Sequence, residues 1–266
     1  MNSKYVAFIG SGNLAWHLAP ALDNTEYAVR EVYSRNPSHA GRLVERLYEA
    51  EVKASLDFST SPCSIFILAV TDDALQDIVR EIVLPEDAVL LHTSGSQSLE
   101  VLRYAATPRI GVLYPLQTFT REVDVDLTEV PFFVEAANPD TASVLITMAR
   151  ALSKHVVKLT SPERLALHLA AVFASNFTNH MLYLAQEIMK ENSLSYDWLK
   201  PLIATMITKS LSIGPENAQT GPARRGDFET LDRHMQLLQD DEATAELYRV
   251  ISQDIVDRYQ TEEEDQ

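Results

Sequence analysis

The chain has 266 residues, of which 46 % are hydrophobic and 23 % are charged, and this suits one large globular domain or two modest ones. Its formal net charge of −16 argues against a nucleic-acid partner, because binding to phosphates needs a basic surface. No apolar run reaches the roughly 18 residues that a transmembrane helix needs, so we expect no membrane partner either.

The single cysteine, Cys63, cannot form an internal disulfide. It precedes the apolar run 64–70, where a small buried hydrophobic residue is expected. The first residues lead directly into an apolar segment, and we therefore expect no signal peptide and a cytoplasmic protein.

The most informative segment is an apolar strand over residues 5–9 that runs into Gly10-Ser11-Gly12-Asn13-Leu14-Ala15. A glycine in the first position permits a tight turn, the second lets the backbone approach a diphosphate, and a small residue in the last lets the helix pack on its strand. The following helix N-terminus offers free N–H groups to the anion. The segment predicts a dinucleotide-binding turn rather than a merely structural one. The expected cofactor contacts are Gly10, Ser11, Gly12, Asn13 and Leu14.

Strand-like and helix-like segments then alternate up to about residue 159, which is typical of a doubly wound sheet. Predicted strands cover 4–10, 28–34, 51–54, 64–70, 88–92, 109–114, 131–135 and 155–159. Predicted helices cover 12–22, 37–49, 72–83, 97–105 and 139–152. We predict a mostly parallel Rossmann-type α/β sheet in a domain spanning 1–159.

Strand signals stop after this point. Thr160-Ser161-Pro162-Glu163 is a helix-start pattern, and the helix that it opens could continue to about residue 191. Further helices are predicted over 196–212, 227–239 and 242–259. The second domain, 160–266, is therefore expected to be all-helical.

The residues that end the second strand indicate which dinucleotide is bound. An acidic residue at this position accepts from the ribose 2′-hydroxyl and favours NAD. Ser34 and Arg35 stand here instead, and both can donate to a 2′-phosphate. This favours NADP(H), although Ser34 could simply cap the next helix while Arg35 is solvated.

Ligands of parallel sheets lie beyond the carboxyl ends of the strands, so the polar residues there are further candidates. Val70 and Thr71 follow the fourth strand, and Thr93, Ser94 and Gly95 follow the fifth. We predict that they contact the cofactor. Helix capping by Thr71, or an ordinary loop after His92, is the alternative.

The long helix carries a narrow polar stripe on an otherwise apolar surface. The stripe consists of His168, Ser175, Asn176, Asn179 and Tyr183, with His180 just outside it. Solvent would favour lysine and glutamate at these positions, so the stripe is expected to face a polar cavity. His168 could be catalytic or a hydrogen-bonded interior histidine. The apolar faces predict a helix that is covered by its own domain or by a second subunit.

A second polar cluster, Gln219–Asp227, reads as a turn between helices, with Asp227 as a helix cap. Arg225 in this turn could bind a substrate carboxylate or be an ordinary surface arginine. His234 follows two turns later, and could face the same cavity or none.

Together these segments resemble a family that combines a Rossmann-like NADP-binding domain with a C-terminal helical domain of unknown function. The resemblance covers essentially the whole chain. The motifs that carry it are the glycine turn, Ser34-Arg35, 92–95, 114–119, 168–176, 220–222 and 225–227. The chain departs from the family's pattern at Tyr114, where relatives commonly have histidine.

The two-domain plan is similar to that of pyrroline-5-carboxylate reductase, ketopantoate reductase, 6-phosphogluconate dehydrogenase and the deazaflavin-dependent NADP oxidoreductases. In several of these enzymes the connecting helix supplies a lysine and an asparagine one turn apart. Asn176 matches the asparagine, whereas Val172 stands in place of the lysine.

The resulting hypothesis is an NADP-dependent oxidoreductase that reduces a small carbonyl or imine bearing a carboxylate. His168 would be the acid, Asn176 would bind the reacting atom and Arg225 would hold the carboxylate. A homodimer through the helical domain is expected, and no metal site. The alternative is a sensor that binds NADP(H) without turnover. A methyltransferase that binds S-adenosylmethionine would need an acidic residue at the end of the second strand, which this chain lacks.

Overall fold

The computed structural model describes residues 4–264, with side chains up to residue 259. The chain forms two compact units, one that ends at Phe177 and one that begins at Thr178. The sequence placed the division at 159, whereas the contacts assign the start of the long helix to the N-terminal unit.

An eight-stranded sheet organises the N-terminal unit. The strands are β1 Tyr5–Ile9, β2 Ala28–Tyr33, β3 Glu51–Lys53, β4 Ile65–Leu68, β5 Val89–His92, β6 Ile110–Pro115, β7 Phe132–Ala136 and β8 Val156–Lys158. Their spatial order is β3-β2-β1-β4-β5-β6-β7-β8. All neighbours pair in parallel except β6 and β7, so the predicted fold class is confirmed.

The central strands are covered on both faces, as their apolar runs predicted. Side chains alternate along β1: Val6 and Phe8 belong to one core cluster, and Ala7 and Ile9 belong to the other. Helices pack on each face of the sheet. The first of these helices are α1 Asn13–Asp23, α2 Pro37–Val44, α3 Asp72–Glu81 and α4 Pro139–Leu152. Cys63 is buried, as expected.

Two helical predictions differ from the structure. The segment predicted over 97–105 forms a 3₁₀ helix, Leu99–Tyr104, and α2 ends at Val44 rather than at 49. Beyond α2 the backbone N–H of Tyr48 donates to the carboxylate of Asp23, at 2.8 Å. This contact with α1 takes a donor that a continued helix would have used.

The long helix begins as predicted but is not uniform. Helix α5, Ser161–Ala171, starts with a capping box between Thr160 and Glu163. A π-helical segment follows over Val172–Phe177, and α6, Thr178–Glu191, continues the chain into the second unit. Because a π turn holds more residues than an α turn, the polar stripe does not keep one phase across this segment.

The C-terminal unit is helical throughout its regular structure. After α6 it contains a short 3₁₀ helix, Tyr196–Leu199, then α7 Lys200–Ile213, α8 Pro215–Ala218, α9 Phe228–Leu237 and α10 Glu242–Glu264. Asp227 caps α9, where its side chain accepts from the backbone N–H of Thr230. In the described part of the chain, no helix combines the length and apolar character needed to cross a membrane.

Candidate functional site

The turn after β1 has the geometry that its glycines predicted. Gly10 has φ of +107°, and its N–H donates to the carbonyl of Tyr33 at 2.8 Å. A Cβ at this position would lie 2.2 Å from the carbonyl oxygen of Ala69, so only glycine fits. A Cβ at Gly12 would meet no atom within 4 Å. The space beside Gly12 is therefore open to a ligand.

The N-terminus of α1 is suited to an anion. Its N-cap residue is Gly12, which has no side chain to bond the first N–H groups, and the first turn contains no acidic residue. Helix α3 differs, since Asp72 and Asp73 lie in its first turn. The free N–H groups and helix dipole of α1 thus remain available to a phosphate.

A groove of about 450 Å³ extends from this turn across the carboxyl ends of the strands. It is lined by every predicted cofactor residue except Gly95, namely Gly10, Ser11, Gly12, Asn13, Leu14, Ser34, Arg35, Val70, Thr71, Thr93 and Ser94. The groove runs past several strand ends, contains the glycine turn and is bordered by basic residues. These features fit a dinucleotide. Arg35 is exposed. Hydrogen bonds from the Thr71 side chain and from the backbone lower the pKa of Asp73, and the charge of Arg35 adds to this effect.

Two basic residues of the groove had no signal in the sequence. His39 lies in the first turn of α2, and Arg121 belongs to the loop after β6; both line the groove. Neither falls at a motif position, so only the folded chain brings them to the glycine turn.

A second cavity, of about 610 Å³, lies in the same unit. Its walls come from the segment after β6, from α5 and from the π-helical segment. Leu14 lines both this cavity and the groove. The two spaces therefore share a wall at the start of α1.

Tyr114 and His168 form a pair at the second cavity. The phenol oxygen lies 3.1 Å from Nδ1 of the imidazole, and the two rings meet edge to face. Burial raises the pKa of Tyr114, and the nearby charge of Arg164 opposes this increase. The phenol therefore stays protonated at neutral pH and can donate or accept in this hydrogen bond.

Gly95 lies against Tyr114 and His168 and does not line the groove. A Cβ here would be 2.6 Å from Nδ1 of His168 and 2.8 Å from Cζ of Tyr114. The absence of a side chain at Gly95 thus permits the two rings to meet.

A buried arginine fixes the first turns of α5. Arg164, only 1 % exposed, forms an ion pair with Glu135 of β7 and donates to the backbone carbonyl of Gln97. Ser161 also donates to Glu135, at 2.8 Å. His168 is one turn beyond Arg164, so this network sets the height of the imidazole relative to the sheet.

The predicted polar stripe is divided between the two units. Ser175 and Asn176 lie in the π-helical segment and line the second cavity with His168. Asn179 and Tyr183 belong to the second unit. The π turn had no sequence signal, although such turns are frequent at functional sites.

The two C-terminal candidates, Arg225 and His234, also belong to the second unit. Arg225 is exposed in the turn before α9. Hydrogen bonds from the side chain and backbone of Thr230 lower the pKa of Asp227, and the charge of Arg225 adds to this effect. Nδ1 of His234 lies 2.8 Å from the hydroxyl of Tyr248. His234 therefore has a partner within its own unit.

His92 ends β5 and is fully buried. Burial, followed by the nearby charge of Arg164, lowers the pKa of His92 to about 3. The backbone N–H of Ser94 donates to its Nδ1 at 3.1 Å. This neutral imidazole holds the turn from which Ser94 and Gly95 emerge.

Family models match both parts of the chain. A Rossmann-like domain matches residues 2–116, and the domain of unknown function DUF2520 matches residues 130–255. A comparison with curated proteins found no match.

Solved structures resemble the chain over nearly its whole length. A Bacteroides fragilis protein assigned as an NADP oxidoreductase is 37 % identical, with 96 % of this chain and 99 % of that chain covered and a TM-score of 0.85. A Thermotoga maritima protein is 21 % identical, with 97 % and 99 % covered and a TM-score of 0.70. A reductive aminase from Aspergillus terreus, in complex with NADPH and ethyl-5-oxohexanoate, is 14 % identical, with 97 % and 94 % covered and a TM-score of 0.71.

At 21 % and 14 % identity, the Thermotoga maritima and Aspergillus terreus proteins show a likeness of fold alone. The likeness to the Bacteroides fragilis protein combines high identity with coverage of both domains, in agreement with the two family models and with the resemblance found in the sequence. The chain belongs to the family in which a Rossmann-like domain is followed by a DUF2520 domain, and the Bacteroides fragilis protein is its relative.

Proposed function

We propose that this protein is an NADP(H)-dependent oxidoreductase that reduces the C=N or C=O group of a small substrate. The observation that carries the proposal is the shared wall at Leu14, which separates a dinucleotide-type groove from a cavity containing a tyrosine–histidine pair. The Bacteroides fragilis relative, assigned as an NADP oxidoreductase, supports it. The reductive aminase with NADPH, which has the same fold, also supports it.

The groove supplies the determinants for NADP(H). The glycine turn and the free N-terminus of α1 would bind the diphosphate, and Ser34 and Arg35 would donate to the 2′-phosphate. When bound, NADPH supplies a hydride to the substrate carbon. The substrate nitrogen or oxygen must then gain one proton, which the protein provides.

His168 is the proposed proton donor, because histidine is the side chain that most often serves as a general acid or base and this one lines the second cavity. Tyr114 would orient the ring in both protonation states. Its hydroxyl donates to Nδ1 when the imidazole is neutral, and its oxygen accepts from Nδ1–H when the imidazole is charged. In either state Nε2 carries a proton and can hydrogen-bond to the substrate, but only the charged imidazole can transfer that proton and become neutral.

Asn176 would bind the reacting nitrogen or oxygen, since its amide can donate or accept a hydrogen bond. Arg225 belongs to the second unit, and its role toward the substrate carboxylate stays a prediction of the sequence, based on the two parallel hydrogen bonds that a guanidinium offers a carboxylate. Among described residues, no carboxylate lies within ion-pair distance of Arg225.

The test combines binding and turnover. NADPH oxidation is followed by absorbance against a panel of cyclic imines and 2-oxo acids, with wild type, H168N and the control H155N. His155 is an exposed histidine that pairs with Glu129. We expect H168N to lower kcat by roughly 10²–10⁴-fold with unchanged NADPH affinity, and H155N to match wild type. A nucleotide sensor predicts the opposite: tight NADPH binding and no turnover of any compound.

We further propose that the C-terminal unit forms a homodimer. Among residues 178–259, only Ala223 is buried, so the unit lacks the core that an independent domain needs. Its exposed apolar side chains include Trp198, Leu202, Met206, Ile207, Leu211 and Leu237. A second copy would offer the same faces, and two-fold self-association is the commonest arrangement for such a surface. A cytoplasmic location stays a prediction of the sequence.

Sedimentation tests the dimer. Leu211 is 84 % exposed, and L211K should convert a dimer into a monomer at micromolar concentration. Val123 of the N-terminal unit is 62 % exposed, so V123K introduces the same charge outside the interface and should leave the dimer intact. A folded, monomeric wild type would overturn this part of the proposal.

A further inference from the structure

The segment 117–121, which we term the crossing segment, lies across the start of α1. The side-chain amide of Asn13 donates to the carbonyl of Phe119 at 3.0 Å. Nε2 of His17 donates to the carbonyl of Thr120 at 2.7 Å. Arg121 donates to the carbonyl of Ser11 at 2.8 Å. Three polar contacts thus hold the crossing segment against the glycine turn and its helix.

Arg121 is placed by this arrangement at the border of the groove. Its guanidinium carbon lies 4.8 Å from the ring centroid of Trp16, and the residue lines the groove beside the glycine turn. In the described part of the chain it has no carboxylate within ion-pair distance. Of its five N–H donors, the bond to Ser11 uses one.

The glycine turn itself has no positive side chain. Residues 10–14 provide backbone N–H groups and the polar side chains of Ser11 and Asn13, and the amide of Asn13 is already bonded to Phe119. Of the arginines and lysines that line the groove, Arg35 follows β2, and Arg121 contacts the turn. A diphosphate carries two negative charges, which a guanidinium satisfies with parallel hydrogen bonds.

We propose that Arg121 binds the diphosphate of the dinucleotide, while Arg35 reads only the 2′-phosphate. The inference rests on the proposed NADP(H) site. Its physical basis is position: the carbonyl that anchors Arg121 belongs to the turn whose N–H groups face the anion. The stacked Trp16 and the Ser11 contact hold the guanidinium before the ligand arrives, which reduces the ordering cost of binding.

The experiment compares the affinities of NADPH and NADH by fluorescence titration of wild type, R121M and R35M. Because the diphosphate is common to both nucleotides, R121M should weaken both by the same factor, on the order of 10- to 100-fold for a hydrogen-bonded charge. R35M should weaken NADPH and leave NADH unchanged. R121K, which keeps the charge but not the planar fork, should fall between wild type and R121M.

The matched control is R46M. Arg46 also lies over the Trp16 ring, at 4.2 Å, but it is not part of the groove lining, so its removal should change neither affinity. Thermal melting of R121M, R121K and R46M separates loss of fold from loss of binding.

Three results decide the matter. Equal binding of both nucleotides by wild type and R121M overturns the role of Arg121 and leaves a structural brace. A loss that is confined to NADPH also overturns it, because Arg121 would then read the 2′-phosphate. If wild type binds neither nucleotide, the proposed function itself is overturned. A difference between variants bears only on Arg121.

Discussion

Gly95→Ala is the smallest change that should separate the proposed proton donor from its partner. The new methyl group would lie 2.6 Å from Nδ1 of His168 and 2.8 Å from Cζ of Tyr114. It would therefore enter between the two rings at the atom that accepts their hydrogen bond. Residue 95 itself is buried, so the methyl group cannot turn outward to solvent.

The displacement can be read from these distances. An ordinary Cβ contact begins at 3.4 Å, so the imidazole must move away by about 0.8 Å. Added to a hydrogen bond of 3.1 Å, a shift of this size breaks the contact. Overpacking of this kind typically costs about 1–3 kcal/mol of stability. Misplacement of a catalytic group by roughly 1 Å can lower the rate by about 10²-fold.

We would measure the effect in two ways. The nitrogen signals of the His168 imidazole in NMR, assigned with H168N, report the bond to Tyr114 without any substrate. The steady-state rate with a compound identified in the panel reports its consequence. Gly41→Ala is the matched control, because Gly41 lies in α2 and a Cβ there meets no atom within 4 Å.

The proposed role of the clearance at Gly95 is refuted if G95A keeps the wild-type Nδ1 signal and the wild-type rate. It also fails if G41A, which adds a methyl group to open space, lowers the rate equally. Loss of the hydrogen bond with full activity would retain the geometry but remove His168 from the mechanism.

Three other predictions follow from the N-terminal unit. G10A should lose several kcal/mol of stability because residue 10 has a positive φ and a Cβ there would clash with a carbonyl. G12A should melt like wild type and lose NADPH affinity. Equal melting temperatures of the two variants would contradict the turn geometry. R164M should lower the free energy of unfolding in urea by about 3–5 kcal/mol, since it leaves Glu135 without its ion-pair partner. Adding E135Q should restore part of this loss. A decrease below about 1 kcal/mol would show that the ion pair is dispensable. The folded pKa of His92, about 3, lies below its unfolded value of about 6.5, so its contribution to stability is complete above pH 6.5 and decreases as the pH falls toward 3. H92Q should make the dependence on pH shallower in this window by about 1.4 kcal/mol per pH unit, and an unchanged slope would contradict a buried neutral histidine.

Local patterns were sufficient for most of the sheet and for the cofactor groove. The glycine turn, the strand ends and Ser34-Arg35 lie at fixed offsets from apolar strands, and parallel strands bring their carboxyl ends to one edge. This is why the sequence predicts that residues as distant as Ser11 and Ser94 line the same groove, and in the structure both do.

Prediction from the residues was weaker where contacts join distant parts of the chain. The sequence distinguishes Tyr114 only as a departure from relatives, and its contact with His168 spans 54 positions. The sequence predicts a cofactor contact for Gly95, but the folded chain places this residue against Tyr114 and His168. Arg121 reaches Ser11 across 110 positions, and no periodic pattern records such a contact.

The sequence by itself determined the succession of strands and helices along the chain, the glycine turn and the residues that end the second strand, because these depend on neighbouring residues and on a regular period. Only the tertiary structure decided which side chains meet. The π turn that places Ser175 and Asn176, the clearance that Gly95 gives to His168 and the position of Arg121 all depend on packing between segments far apart in the chain, for which local propensity carries no information.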